Sequence, residues 1–67
     1  MKLAEREMQR RGITQTALAR GAGLHRTKLN KILRGREQPW PKYRDAIASA
    51  VGWEGDPAEL FEDVEEV

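Results

Sequence analysis

At 67 residues with no cysteine, the chain reads as one domain, residues 1–67, with a small core and no disulfide, thiolate zinc site or cysteine nucleophile. No apolar run approaches the roughly 20 residues of a membrane span, and MKLAEREMQRRG lacks a secretion signal's apolar stretch, so a soluble cytoplasmic protein is expected. The net charge of +1 hides a division: residues 1–44 hold all twelve Lys and Arg against three acids (+9), and residues 45–67 hold eight acids and no base (−8).

No run alternates apolar and polar residues as a strand would, and the chain reads as five short helices. The first is predicted at about Leu3–Arg11, with Ala4 and Met8 on one face and Gly12 as its stop. Its Arg10 and Arg11 add positive charge without an assigned partner. Thr14 is a good N-cap for a second helix, and Ile13 and Leu18 stand at the spacing of a hydrophobic staple. This helix runs through Ala17, Leu18 and Ala19 to about Arg20 or Gly21. Gly21-Ala22-Gly23-Leu24 then reads as a turn, its two glycines permitting a positive φ where two helices meet steeply.

A third helix is predicted at about Arg26–Leu33 behind His25 as cap, with Leu24 and Leu29 repeating the staple spacing. Leu29, Ile32 and Leu33 form its buried stripe, and Gly35 ends it. Arg36-Glu37-Gln38-Pro39-Trp40 is a loop. Pro41 opens a fourth helix that continues to Val51, with Ile47, Ala48 and Val51 inward and Gly52 as stop. Asp56-Pro57-Ala58-Glu59 supplies a cap, a proline at the first position and a glutamate able to close a capping box, so a fifth helix is expected. Leu60, Phe61 and Val64 would be its apolar face, and the tail EDVEEV is expected to fray.

The segment Ile13 to Gly35, ITQTALARGAGLHRTKLNKILRG, resembles the lambda-repressor/Cro-like helix-turn-helix family, often called XRE. The resemblance rests on the Thr-Gln opening, Leu18-Ala19, Ala22-Gly23-Leu24, Leu29 and Ile32, then Arg34-Gly35. It continues through Pro39, the Ile47/Ala48/Val51 stripe, Gly52 and the closing Asp-Pro-Ala-Glu-Leu-Phe, about fifty residues in all. Trp40-Pro41-Lys42 is also similar to the start of helix four in phage Ner-type regulators. Three positions depart from the pattern: Glu7 where a larger apolar residue is common, His25 at a cap that favours serine, and Trp40 where a small capping residue is typical.

The resemblance implies an all-α, five-helix lambda-repressor-like domain with a central helix-turn-helix. It also implies a Cro/C1-type transcription regulator, usually a homodimer, often encoded by a phage or mobile element. In this motif the recognition helix enters the major groove and the preceding helix crosses the phosphate backbone. Arg26, Thr27, Lys28, Asn30 and Lys31 are therefore the candidates for base reading. Arg26 or Lys28 can donate to guanine, and Thr27 can offer its hydroxyl, or its methyl to thymine. Asn30 and Lys31 suit phosphate as well as base contact. Gln15, at the N-terminus of the second helix, is carried over as a phosphate contact, where free amide N–H groups favour an anion. Arg34 and Arg36 follow the recognition helix and are assigned to phosphate. His25 is read first as a cap and second as a phosphate contact.

The expected partner is palindromic double-stranded DNA, bound by a homodimer and free of any membrane. No cofactor or metal is expected, since a metal site needs several ligands and the chain has no second histidine and no cysteine. The same poverty of nucleophiles and bases argues against an enzyme. RNA binding fits the charge, but the sheet platform and paired aromatics of common RNA modules are missing. An antitoxin-like, protein-binding regulator on the same fold is the alternative. Trp40 and Trp53 are read as closing the core or a dimer contact, rather than stacking on bases. The acidic last third is open to three readings: a solvated face, a dimer or partner contact through Leu60, Phe61 and Val64, or a competitor for the basic face.

Overall fold

The computed structural model describes residues 1–65. Four α-helices and a 3-10 turn follow one another: α1 Leu3–Arg11, α2 Gln15–Ala22, α3 Arg26–Leu33, α4 Pro41–Val51, then Pro57–Phe61. Among the described residues there is no strand, only an isolated antiparallel bridge between Lys2 and Asp63. None of these helices is long and apolar enough to cross a membrane.

The helices begin and end on local chemistry. Thr14 Oγ1 accepts from the Ala17 amide at 3.1 Å to open α2, and His25 Nδ1 accepts from the Thr27 amide at 3.1 Å to open α3. Trp40 gives α4 no side-chain cap, and Pro41 starts that helix without needing an amide partner. Between α2 and α3 the Leu24 amide reaches back to Ala19 O at 2.8 Å across Gly23, whose φ of +71° is costly for any residue with a Cβ. The other three α-helices close with the same five-residue return, from Ile13 to Met8, Arg36 to Lys31 and Trp53 to Ala48.

Gly21 departs from the sequence-based turn, because α2 continues through Ala22 and Gly21 lies inside it. A Cβ added there would stand 3.3 Å from the Ala50 Cβ. This glycine therefore permits the close approach of α2 to α4, and Gly23 alone supplies the turn.

The core is built from Ala4 and Met8 of α1, Leu18 and Ala19 of α2, Leu29, Ile32 and Leu33 of α3, Ile47, Ala48 and Val51 of α4, and Leu60. Burying a leucine or isoleucine side chain contributes about 1.5–3 kcal/mol, so the three on α3 fix that helix's rotation. Glu7 is also buried, at 3% exposure, and the structure gives it a purpose that its apolar-favouring position concealed. It accepts from Arg10 at 2.9 Å and from Arg11 Nε at 3.3 Å, and Arg11 Nη1 donates to Val51 O at 3.0 Å and Gly52 O at 3.1 Å. A buried carboxylate is tolerable when it is paired in this way. Here it also aims a guanidinium at carbonyls that the end of α4 leaves unbonded.

The expected fifth α-helix is a single 3-10 turn. The capping box forms as anticipated, with Asp56 Oδ1 accepting from the Ala58 amide and Glu59 Oε1 from the Asp56 amide, both at 3.0 Å. The helix stops because Leu60 is fully buried and residues 62–64 are bound elsewhere. The Leu3 amide donates to Glu62 O at 2.9 Å, the Val64 amide to Met1 O at 2.8 Å, and Lys2 Nζ lies 3.1 Å from Asp63 Oδ1. The start of the expected frayed tail is thus paired with the N-terminus, while Glu66 and Val67 lie outside the described residues.

Candidate nucleic-acid interface

In a helix with 3.6 residues per turn, positions 26, 27, 30 and 31 share one face when 29, 32 and 33 share the other. Because Leu29, Ile32 and Leu33 are drawn into the core, Arg26, Thr27, Asn30 and Lys31 are turned outward. They line one shallow concave surface together with Gln15 from the first turn of α2 and Arg36 from the loop after α3. Arg26, Thr27, Lys31 and Arg36 are exposed there, and Gln15 and Asn30 are half-buried. Asn30 Nδ2 donates to Gln15 Oε1 at 3.3 Å, joining the two helices at the floor of the surface. Arg26, Lys31 and Arg36 have no ion-pair partner among the described residues. Three uncompensated cations, two amides and a hydroxyl give a positive surface rich in hydrogen-bond donors.

Three of the sequence-predicted residues stand apart from this surface. Lys28 falls on the flank of α3, between the outward and inward faces. Its Nζ lies 2.9 Å from Glu37 Oε2 and 5.0 Å from the centroid of the Tyr43 ring, over which Lys42 Nζ also sits at 5.1 Å. The Glu37 carboxylate beside it holds the Lys28 ammonium above its ordinary pKa, with desolvation working against it. Arg34 closes α3 and is exposed on a different recess, beside Lys2, Glu5 and Asp63. His25 is exposed at the cap, its Nδ1 occupied by the Thr27 amide, so that Nε2 is the nitrogen left for an outside partner.

The tryptophans divide. Trp53 packs against the core, half-buried, and its Nε1 donates to Asp56 O at 3.1 Å. Trp40 does not close the core: it is 58% exposed at the start of α4, where Pro41 and the preceding loop turn it outward. Leu60, expected to offer itself to a partner, is consumed by the chain's own core, and Phe61 and Val64 are half-buried.

Sequence reasoning missed the Gln15–Asn30 bond, the Arg11 contacts with α4 and the Lys28–Glu37–Tyr43 cluster. One signal for the last was available: Glu37 is the sole acid between Met8 and Arg44, in an otherwise basic stretch. A family model described as a helix-turn-helix domain matches residues 3–61, which include all four α-helices and every residue of the concave surface. No curated protein and no solved structure matches the chain.

Proposed function

The chain belongs to the helix-turn-helix domain family, and on that premise we propose that it is a sequence-specific double-stranded DNA-binding transcriptional regulator, with α3 as its recognition helix in the major groove. The observation that carries this reading is the gathering of Gln15, Arg26, Thr27, Asn30, Lys31 and Arg36 on one surface around the start of α3, with three cations left uncompensated. That is the end of the helix which faces base edges in this motif. Arg26 and Thr27 read bases, and Asn30 and Lys31 read bases or hold phosphates beside them. Gln15 and Arg36 grip the backbone, as does Arg34 where the duplex extends past the end of α3. His25 keeps the helix start in shape and offers Nε2 to a phosphate.

The division of charge supports the same reading, because a surface drawn from the basic residues gains from counterion release on phosphate binding. The sequence pattern favours the lambda-repressor/Cro-like branch and a phage or mobile-element repressor that blocks polymerase by occupying its operator. A single small module reads few base pairs, so two copies on half-sites about one helical turn apart would supply the specificity. The reading needs no catalysis, and it places the protein in the cytoplasm.

Selection of bound duplexes from a random pool at near-physiological salt tests the proposal. A two-fold symmetric consensus with half-sites about 10 base pairs apart is expected. Enrichment of no sequence would reduce the surface to non-specific charge attraction. Regulation by binding a protein partner would then be the better reading.

A further inference from the structure

The Lys28–Glu37 contact is left without a task by the DNA-binding reading, yet it sits at a junction. Lys28 belongs to α3, Glu37 to the loop, and Tyr43, beneath the ammonium, to the first turn of α4. The two charged side chains are 36% and 30% exposed, so solvent and salt partly screen the pair. An unpaired Glu37 carboxylate would repel phosphates in a region otherwise free of acid. Paired with Lys28, it is neutralised and holds the loop.

Its neighbour in sequence, Arg36, is among the described residues the one loop residue on the concave surface. The Arg36 backbone is held on one side by the hydrogen bond its amide donates to Lys31 O at 2.8 Å, and it follows Gly35, whose φ of +76° turns the chain out of the helix. Anchorage on the other side comes from Glu37. We infer that the Lys28–Glu37 ion pair is a positioning device: it fixes the loop after the recognition helix so that Arg36 stays on the DNA-facing surface, and Lys28 itself touches no DNA. This inference rests on the DNA-binding reading and assigns Lys28 and Glu37 a role within it.

The test compares Lys28→Met, Glu37→Gln and their double variant, each with Arg36 present and with Arg36→Gln, on the selected duplex over a range of salt. Glu37→Gln is expected to weaken binding roughly 2- to 5-fold, although it removes a negative charge. Lys28→Met should cost more, because it also leaves the Glu37 carboxylate unpaired, the double variant should cost no more than Glu37→Gln, and Glu37→Gln and the double variant should both be silent once Arg36 is Gln. Lys28→Arg, which can keep the pair, should bind like the parent. Tighter binding by Glu37→Gln would overturn the inference, as would a double-variant loss that survives without Arg36. Thermal melting of each variant shows that it folds.

A second arm needs no DNA: amide hydrogen exchange of residues 35–38 should quicken in Glu37→Gln and in Lys28→Met. Unchanged exchange overturns the inference even if the parent binds DNA well. Failure of the parent to select any duplex would remove the DNA-binding reading, while exchange would still decide whether the pair holds the loop.

Discussion

Replacing Arg26 with alanine should separate reading DNA from folding. Arg26 is the first residue of α3, exposed, and bonded to no other side chain among the described residues, so its loss should move stability by no more than about 0.5 kcal/mol. A bidentate contact with guanine is worth about 1–3 kcal/mol of discrimination, which is roughly a 5- to 150-fold loss of affinity for the preferred site. Loss of the positive charge adds a smaller, sequence-independent decrease and should reduce the salt slope by about 1. Fluorescence-anisotropy titrations on the selected duplex, on duplexes altered at one base pair and on a random duplex would resolve the two contributions. The variant should bind all four bases alike at one position while melting with the parent. Equal losses on selected and random DNA would make Arg26 a phosphate contact only. A lowered melting temperature would mean that the side chain supports α3, which its lack of partners argues against.

Leu29→Ala should cost roughly 2–5 kcal/mol, against a total stability of about 3–10 kcal/mol for a chain this size, and an unmoved urea midpoint would contradict the burial that orients α3. Arg11→Ala strips two carbonyls at the end of α4 of a donor and leaves Glu7 with Arg10 alone, so a loss of about 1–3 kcal/mol is expected in thermal melting. Arg20→Ala, on an exposed side chain with no partner among the described residues, should stay within about 0.5 kcal/mol, and equal effects of the two arginines would refute the capping role. Gln15→Ala should weaken binding on every duplex alike. A changed consensus would show that its bond to Asn30 takes part in base reading.

The four α-helices were legible because their signals are local. Thr14, Pro41 and the glycine stops each act on neighbours within five residues, and the Leu29/Ile32/Leu33 stripe sets the rotation of α3 without reference to distant partners. The outward face of α3 follows by subtraction, and the resemblance to the motif names Arg26, Thr27, Lys28, Asn30 and Lys31 on that helix as base-reading candidates. What stayed hidden depends on contacts far apart in the chain. Gly21 looked like turn chemistry because nothing in its neighbourhood reveals Ala50 from α4. Glu7 looked out of place until Arg11 was found reaching Val51 and Gly52, forty residues on. The fifth helix was cut to one turn by pairing with residues 1–3, which no capping rule can foresee. Lys28 is the instructive case: its residue type suits guanine, and spacing alone does not reveal the carboxylate nine residues later that pairs with it.

The acidic last third takes on a definite meaning once its anchors are known. Asp56 and Glu59 are engaged in the capping box, Asp63 is paired with Lys2, and Leu60 is locked into the core. None of the six residues on the concave surface comes from this part of the chain. For Asp56, Glu59 or Asp63 to compete with DNA for that surface, the segment would have to withdraw Leu60 and break the bonds joining residues 62–64 to residues 1–3. Withdrawing one buried leucine alone costs about 1.5–3 kcal/mol, before any hydrogen bond is counted. Electrostatic attraction between exposed, salt-screened groups is worth less than that. The packing therefore keeps Asp56, Glu59 and Asp63 out of the lining of the concave surface, where Arg26, Lys31 and Arg36 are exposed.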